Sequence, residues 1–301
     1  MKVIRAKISG FCMGVRRAVN LAMEAASVSG NVYTLGPLIH NRKVLDDLRQ
    51  LDIKILDENE IQDIPKGSTV IIRAHGISPE TENRLVKQGV VIIDATCPHV
   101  KTSQKKAEYY AHNGCIVFLA GEKDHAEITG IRGYIKSAAG SGSARQISTD
   151  NCIVAGDSGE AARAASDLYK KEPKAKTVLI GQTTISVEEY KNIGESIRKY
   201  FPDLEIIDTI CSSTAERQKS LRELCGIADA VIIAGSRESA NTGRLLALAS
   251  GLGRPCALID SADEIPPLFY TYKTIGLAAG ASVPESLMDE IEKKLTKKIN
   301  F

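Results

Sequence analysis

Runs of Val, Ile and Leu recur along the chain, each stopping at Gly or a polar residue and each followed by a segment of helical spacing. The clearest are VIRAKI (3–8), VYTLG (32–36), IKIL (53–56), VIIRA (70–74) and VVIIDA (90–95). CIVFLAG (115–121), TVLIG (177–181), LEIIDTI (204–210), AVIIAG (230–235), CALID (256–260) and TIGLAAG (274–280) follow. A run that is apolar at every position marks a strand buried on both faces, and such strands alternating with helices mark a parallel sheet covered on both sides. NLAMEAASV (20–28) and KSLRELCGIA (219–228) carry the spacing of amphipathic helices. KSAAGSGSARQ (136–146) reads as a low-complexity loop. The pattern predicts an α/β fold throughout.

Open parallel sheets bind ligands beyond the carboxyl ends of their strands, so the residues after each run matter most. VYTLG leads to His40, VIIRA to His75 and VVIIDAT to Cys97. CIVFLAG leads to His125 and Glu127, TVLIG to Thr183 and Thr184, and LEIIDTI to Cys211. AVIIAG leads to Ser239 and Asn241, and TIGLAAG to Ser282. That third set lacks a closing cysteine, but the N-terminal run VIRAKI supplies Cys12. The chain therefore reads as three copies of one α/β unit: 14–97, 98–211, and 212–284 completed by the strand in 1–13, with 285–301 as a helical tail. A pseudo-threefold arrangement of these units would bring Cys12, Cys97 and Cys211 to a common centre.

Hydrophobic content of 43% and charged content of 25% over 301 residues describe a globular protein with room for two or three domains. A net charge of +2 offers no field for nucleic acid or anionic lipid. MKVIRAKISGFCMG holds no apolar signal region, and no run approaches membrane-spanning length, so the expected location is the cytoplasm. There, seven cysteines point to thiol or metal chemistry rather than to disulfides. Cys12, Cys97 and Cys211 each precede a helical segment, whose N-terminus favours thiolate. Three thiolates from separate loops suit a soft metal centre. No CxxC pair supports a zinc ribbon or a ferredoxin run. An iron–sulfur cube held by three cysteines would leave one iron open, while zinc with three Cys and one His stays open on ligand type. Cys115, Cys152, Cys225 and Cys256 lie in apolar surroundings and read as structural, as do His99 and His112 as ordinary surface or core residues.

The segments GFCMGVRRAV, GPLIHN, RAHG, DATCP, DHAE, GQTT, DTIC, SANTGRL and GASVPESL, in this order from about residue 3 to residue 287, resemble the LytB/IspH family of 4-hydroxy-3-methylbut-2-enyl diphosphate reductases. The resemblance implies three pseudo-symmetric α/β domains around a 4Fe–4S cluster with one iron not bound by cysteine. It implies the last step of the methylerythritol phosphate route, which yields isopentenyl and dimethylallyl diphosphate with electrons from a ferredoxin or flavodoxin. Position by position, Cys12, Cys97 and Cys211 match the cluster ligands. His40, His75, His125, Ser239, Asn241 and Ser282 match residues that hold the diphosphate. Glu127 matches the proton-delivering acid and Thr183 the hydroxyl that orients substrate and relays protons. Ala240 stands where many members carry Ser, so a phosphate contact there falls to its backbone N–H. Two readings from other classes compete: an iron–sulfur sensor that binds a phosphorylated ligand, which would need an effector module the chain does not display, and a colourless zinc hydrolase.

Overall fold

The computed structural model describes residues 1–140 and 151–297. Strands and helices alternate, and every strand pairing is parallel. The first sheet holds β2 (Val32–Leu35), β3 (Lys54–Leu56), β4 (Thr69–Ile72) and β5 (Val91–Asp94), in the order β3-β2-β4-β5. The second holds β6 (Ile116–Ala120), β7 (Cys152–Ala155), β8 (Thr177–Gly181) and β9 (Glu205–Ile206), in the order β7-β6-β8-β9. The third holds β10 (Ala230–Ala234), β11 (Cys256–Ile259), β12 (Thr274–Ala279) and the N-terminal β1 (Lys2–Arg5), in the order β11-β10-β12-β1. Each sheet thus runs second-first-third-fourth, with its strand order reversing between first and third strands, the point at which doubly wound sheets open a ligand crevice.

Burial follows this order. The first and third strands of each sheet are interior and almost wholly buried, while the second and fourth are half-buried edges. In the second sheet, Phe118 and Leu179 face one side; Val117, Leu119, Val178 and Ile180 face the other, packed against Ile128 and Ile131. Among the described residues the helices are α1 (Met13–Val28), α2 (Arg42–Gln50), α3 (Pro79–Gln88), α4 (Pro98–His112), α5 (Ala126–Gly140), α6 (Ser158–Lys171), α7 (Val187–Arg198), α8 (Ser212–Ile227), α9 (Ala240–Gly251) and α10 (Glu285–Thr296). Their ends follow local chemistry. For α3, Ser78 accepts the N–H of Thr81, Pro79 fills the first turn, and Gly89 ends the helix at φ 74°.

Three details depart from the sequence pattern. The edge strand β7 was hidden because only four residues, CIVA, carry it. Lys136–Gly140 belong to α5 rather than to a loop, and the rest of 136–146 lies outside the described residues. The helix expected at the C-terminal end belongs to a core: Leu287, Met288, Ile291 and Leu295 of α10 are buried against the third sheet. Arg5 at the end of β1 pairs with Glu285, Asp289 and Glu292, spaced along one face of that helix.

The chain divides into two compact units. One comprises residues 24–36 and 54–211 and holds the first and second sheets; the other comprises residues 1–23, 37–53 and 212 onward and holds the third. No helix among the described residues is long and apolar enough to cross a membrane.

Candidate functional site

Each sheet ends its strands in the same way. One residue past its first strand stands a glycine at positive φ: Gly36 at 74°, Gly121 at 158° and Gly235 at 142°. A side chain there would collide with Arg73, Gln182 or Thr242, the residue packed over that strand end. Five residues past the same strands come His40, His125 and Ser239; α5 and α9 open directly after theirs, and α2 one residue later, behind its N-cap Asn41. Two residues past the third strands, the carbonyls of Ala74, Thr183 and Ala281 accept the N–H groups of Cys97, Cys211 and Cys12, at 2.9, 3.0 and 3.1 Å. Each cysteine in turn stands immediately before a helix: Cys12 before α1, Cys97 as the N-cap of α4, Cys211 before α8.

In the unit that holds the first two sheets, the polar groups interlock. Glu127, in the first turn of α5, is 1% exposed and Thr183 6%. The Thr183 N–H donates to Oε1 of Glu127 at 2.7 Å and the Thr183 hydroxyl to Oε2 at 2.9 Å. Since the Thr183 carbonyl takes the Cys211 N–H, one residue touches both the buried acid and a cysteine-bearing loop. His125 caps α5 by accepting the Glu127 N–H on Nδ1 at 3.2 Å, which leaves Nε2 to carry the proton. The ring of His75 meets that of His125 edge to face at 5.4 Å between centroids. Gln182 braces both loops, accepting the Glu122 N–H and donating to the Thr184 hydroxyl.

In the other unit, α9 opens at Ala240, so Ala240 and Asn241 present first-turn N–H groups of the kind that bind anions. Ser239 is the N-cap and accepts the Thr242 N–H at 3.4 Å. The Nδ2 of Asn241 and the Oγ1 of Thr242 are buried with no hydrogen-bond partner among the described residues. Two adjacent orphaned polar groups at a helix N-terminus fit an oxygen-rich anion that would satisfy them. The Ser282 hydroxyl donates to the His40 carbonyl at 3.0 Å, and the Glu238 carboxylate lies 3.9 Å from His40 Nδ1. Thr242 was not legible in the sequence. Its interest arises because Gly235 and Gly280 leave room for its hydroxyl between two strand ends.

The seven cysteines are all reduced, and they separate into two groups. Burial pushes the thiols of Cys115, Cys225 and Cys256 up, and that of Cys152 up to about 11 against the opposing pull of Arg132, so these four stay protonated. Cys12, Cys97 and Cys211 are each a half-buried thiol at a helix N-terminus, a donor type that suits a soft metal. Among the described residues no three His, Cys, Asp or Glu side chains gather tightly enough to cage a single ion. His99 and His112 are exposed.

Fold and strand ends together define an α/β protein of repeated parallel sheets in which Cys97, Cys211, His125, Thr183 and Ser239 follow the carboxyl ends of the strands. The chain belongs to the LytB protein family, whose profile matches residues 3–296. It is 39% identical, over 98% of its length and 99% of its relative's, to the 4-hydroxy-3-methylbut-2-enyl diphosphate reductase of Treponema denticola. Among solved structures it is similar, at a TM-score of 0.69 and 34% identity over 99% of this chain and 100% of the other, to (E)-4-hydroxy-3-methyl-but-2-enyl diphosphate reductase, the terminal enzyme of the non-mevalonate pathway. The corresponding enzyme of Plasmodium falciparum gives a TM-score of 0.88 over 99% of this chain and 89% of that one; at 24% identity this likeness concerns the fold alone.

Proposed function

We infer that this protein is an iron–sulfur reductase that converts 4-hydroxy-3-methylbut-2-enyl diphosphate to isopentenyl and dimethylallyl diphosphate. The observation that carries the reading is Thr183, bonded to a buried carboxyl through its N–H and hydroxyl and to the Cys211 loop through its carbonyl, in a chain of the LytB family. Cys12, Cys97 and Cys211 would hold a 4Fe–4S cluster with one iron free of protein thiolate. When bound, that group would supply electrons and Lewis acidity at the allylic oxygen.

The chain's own residues account for the remainder. Removing the hydroxyl as water consumes two electrons and two protons. Glu127 is the proton source: with its carboxyl protonated, the contact with the Thr183 hydroxyl reverses, the carboxyl donates, and the hydroxyl hands its own proton onward. His125, protonated on Nε2, and His75 donate to diphosphate oxygens; so do Asn241, Ser239, Ser282 and His40, aided by the first-turn amides of α9. Binding the diphosphate far from the breaking bond supplies energy for positioning the allylic end. An external one-electron carrier, a ferredoxin or flavodoxin, is the reductant, and the cytoplasm is the compartment.

Anaerobic purification and reconstitution test this. A brown protein with cluster absorbance should turn over the allylic diphosphate with reduced viologen dye as electron source, and inorganic diphosphate should compete. A protein that takes up no cluster, or a loaded one that leaves the substrate unreduced, would sink the assignment.

A further inference from the structure

We propose that Arg217 is a positioning residue for Cys12, an inference that rests on the reading of Cys12 as a cluster ligand. In the first and second sheets the strand that leads to the cysteine ends close to it, three residues before Cys97 and five before Cys211. From the end of β1 at Arg5 to Cys12 the chain runs seven residues, AKISGF and then the cysteine, without regular structure. A longer tether holds its end less firmly, and here one face of α8 takes up the slack.

Arg217, Ser220 and Glu223 are spaced three apart along α8 and so share a face. The Lys7 ammonium bonds Glu223 at 2.8 Å, and the Ile8 N–H donates to the Ser220 hydroxyl at 3.2 Å. Deepest of the three, Arg217 is 3% exposed. Its Nη2 donates to the carbonyl of Gly10 at 3.0 Å and its Nη1 to the carbonyl of Ala279 at 3.0 Å. Gly10 lies two residues before Cys12, and Ala279 two residues before Ala281, whose carbonyl takes the Cys12 N–H. The guanidinium therefore closes a ring through Gly10, Cys12, Ala281 and Ala279, fixing from behind the one backbone bond that all three cysteines share. A planar fork with two charge-assisted donors does this in one side chain; a lysine would hold one carbonyl well and the other poorly.

Variants of the full-length chain provide the test, with two readouts. In iron-free protein, alkylation of Cys12, Cys97 and Cys211 is followed by peptide mass spectrometry at one fixed alkaline pH, so that rates are compared between variants at the same position. In cluster-loaded protein, iron release to a chelator is followed by absorbance. Arg217→Met should speed alkylation of Cys12 by about tenfold, the factor carried by a lost hydrogen bond from a charged group, while Cys97 and Cys211 keep their rates. It should also hasten iron release. Arg217→Lys should fall between Met and wild type, and Ser220→Ala should shift Cys12 in the same direction by less. Wild-type rates at Cys12 in both Arg217 variants overturn the proposal, and so does equal acceleration at all three cysteines, which signals general loosening. Should Arg217→Met fail to fold, the Lys and Ser220 variants decide by the same rates. A wild-type chain that binds no iron removes the cluster reading but leaves the alkylation comparison to judge Arg217.

Discussion

Glu127 illustrates how much one side chain's chemistry depends on its neighbours. Both its oxygens are engaged by Thr183, so Glu127→Gln keeps the shape and one acceptor but replaces the other with an N–H facing donors. Turnover should fall by about 10²–10⁴-fold, the usual contribution of a positioned acid, with cluster content unchanged; single-turnover assays on loaded protein check both. Near-normal turnover would remove Glu127 from proton delivery. The cysteines give a second test at this scale. Ser at Cys12, Cys97 or Cys211 should abolish cluster loading, because a hydroxyl is a poor replacement for thiolate on iron. Ser at Cys115, Cys152, Cys225 or Cys256 should leave iron per chain intact, and equal loss in both groups would sink the assignment. Cys12, Cys97, Cys211, His40, His75, His125 and Glu127 stood out in the sequence because each follows a strand-like run. Thr242 and Arg217 were not, since a Thr and an Arg within helical stretches look ordinary until the packing shows what their polar atoms reach.

Among the elements, the interior strands and most of the edges announced themselves; the edge β7 did not, and the edge β9 did so least accurately. TVLIG coincides with β8, and CIVFLAG overruns β6 by one residue at each end, whereas the edge strand β9 keeps only Glu205 and Ile206 of LEIIDTI. A half-buried edge needs less apolar surface, so its signal is weaker. The turn between β5 and α4 shows what sets such an end. Asp94 accepts the Thr96 N–H at 2.9 Å and pairs with Lys101. Burial pushes the Asp94 carboxyl up, but the bonds to Lys101 and Thr96 outweigh it and hold the group below its ordinary value. A depressed carboxylate contributes stability above its unfolded pKa and loses it as pH falls. Melting temperature should therefore decline below about pH 4 by less in Asp94→Asn than in wild type, while at neutral pH the variant melts lower. Identical pH profiles would show that the pair contributes nothing. For α10, Ile291→Ala and Met288→Ala remove fully buried side chains and should each cost about 2–5 kcal/mol in denaturant melts. A change near zero would mean that this face of α10 contributes nothing to folding.

For the whole molecule, one α/β unit written three times was legible from the order of strand, cysteine and helix, because apolar runs and their polar successors recur in register. The shared sheet order could not be read, since nothing in a sequence tells which parallel strand lies beside which. A cluster bound only by the folded chain adds stability by mass action, so anaerobically loaded protein should melt well above the iron-free chain. Scanning calorimetry of both forms checks this, and coincident melts would mean the thiols bind nothing that matters to folding.

The pairing of β1 with β12 joins Lys2 to Thr274, and it carries a cost in time. A ribosome adding about 5–20 residues per second makes β12 roughly a quarter of a minute to a minute after β1. Through that interval β1 has no ladder partner on its β12 side and the Cys12 N–H has no carbonyl. Cys97 meets its partner loop within some two dozen residues, and Cys211 within about thirty. Of the three thiols, the first to leave the ribosome is the last to be housed. The growing chain should therefore take up a thiol label at Cys12 for longer than at the other two, which labelling of chains stalled on the ribosome would read.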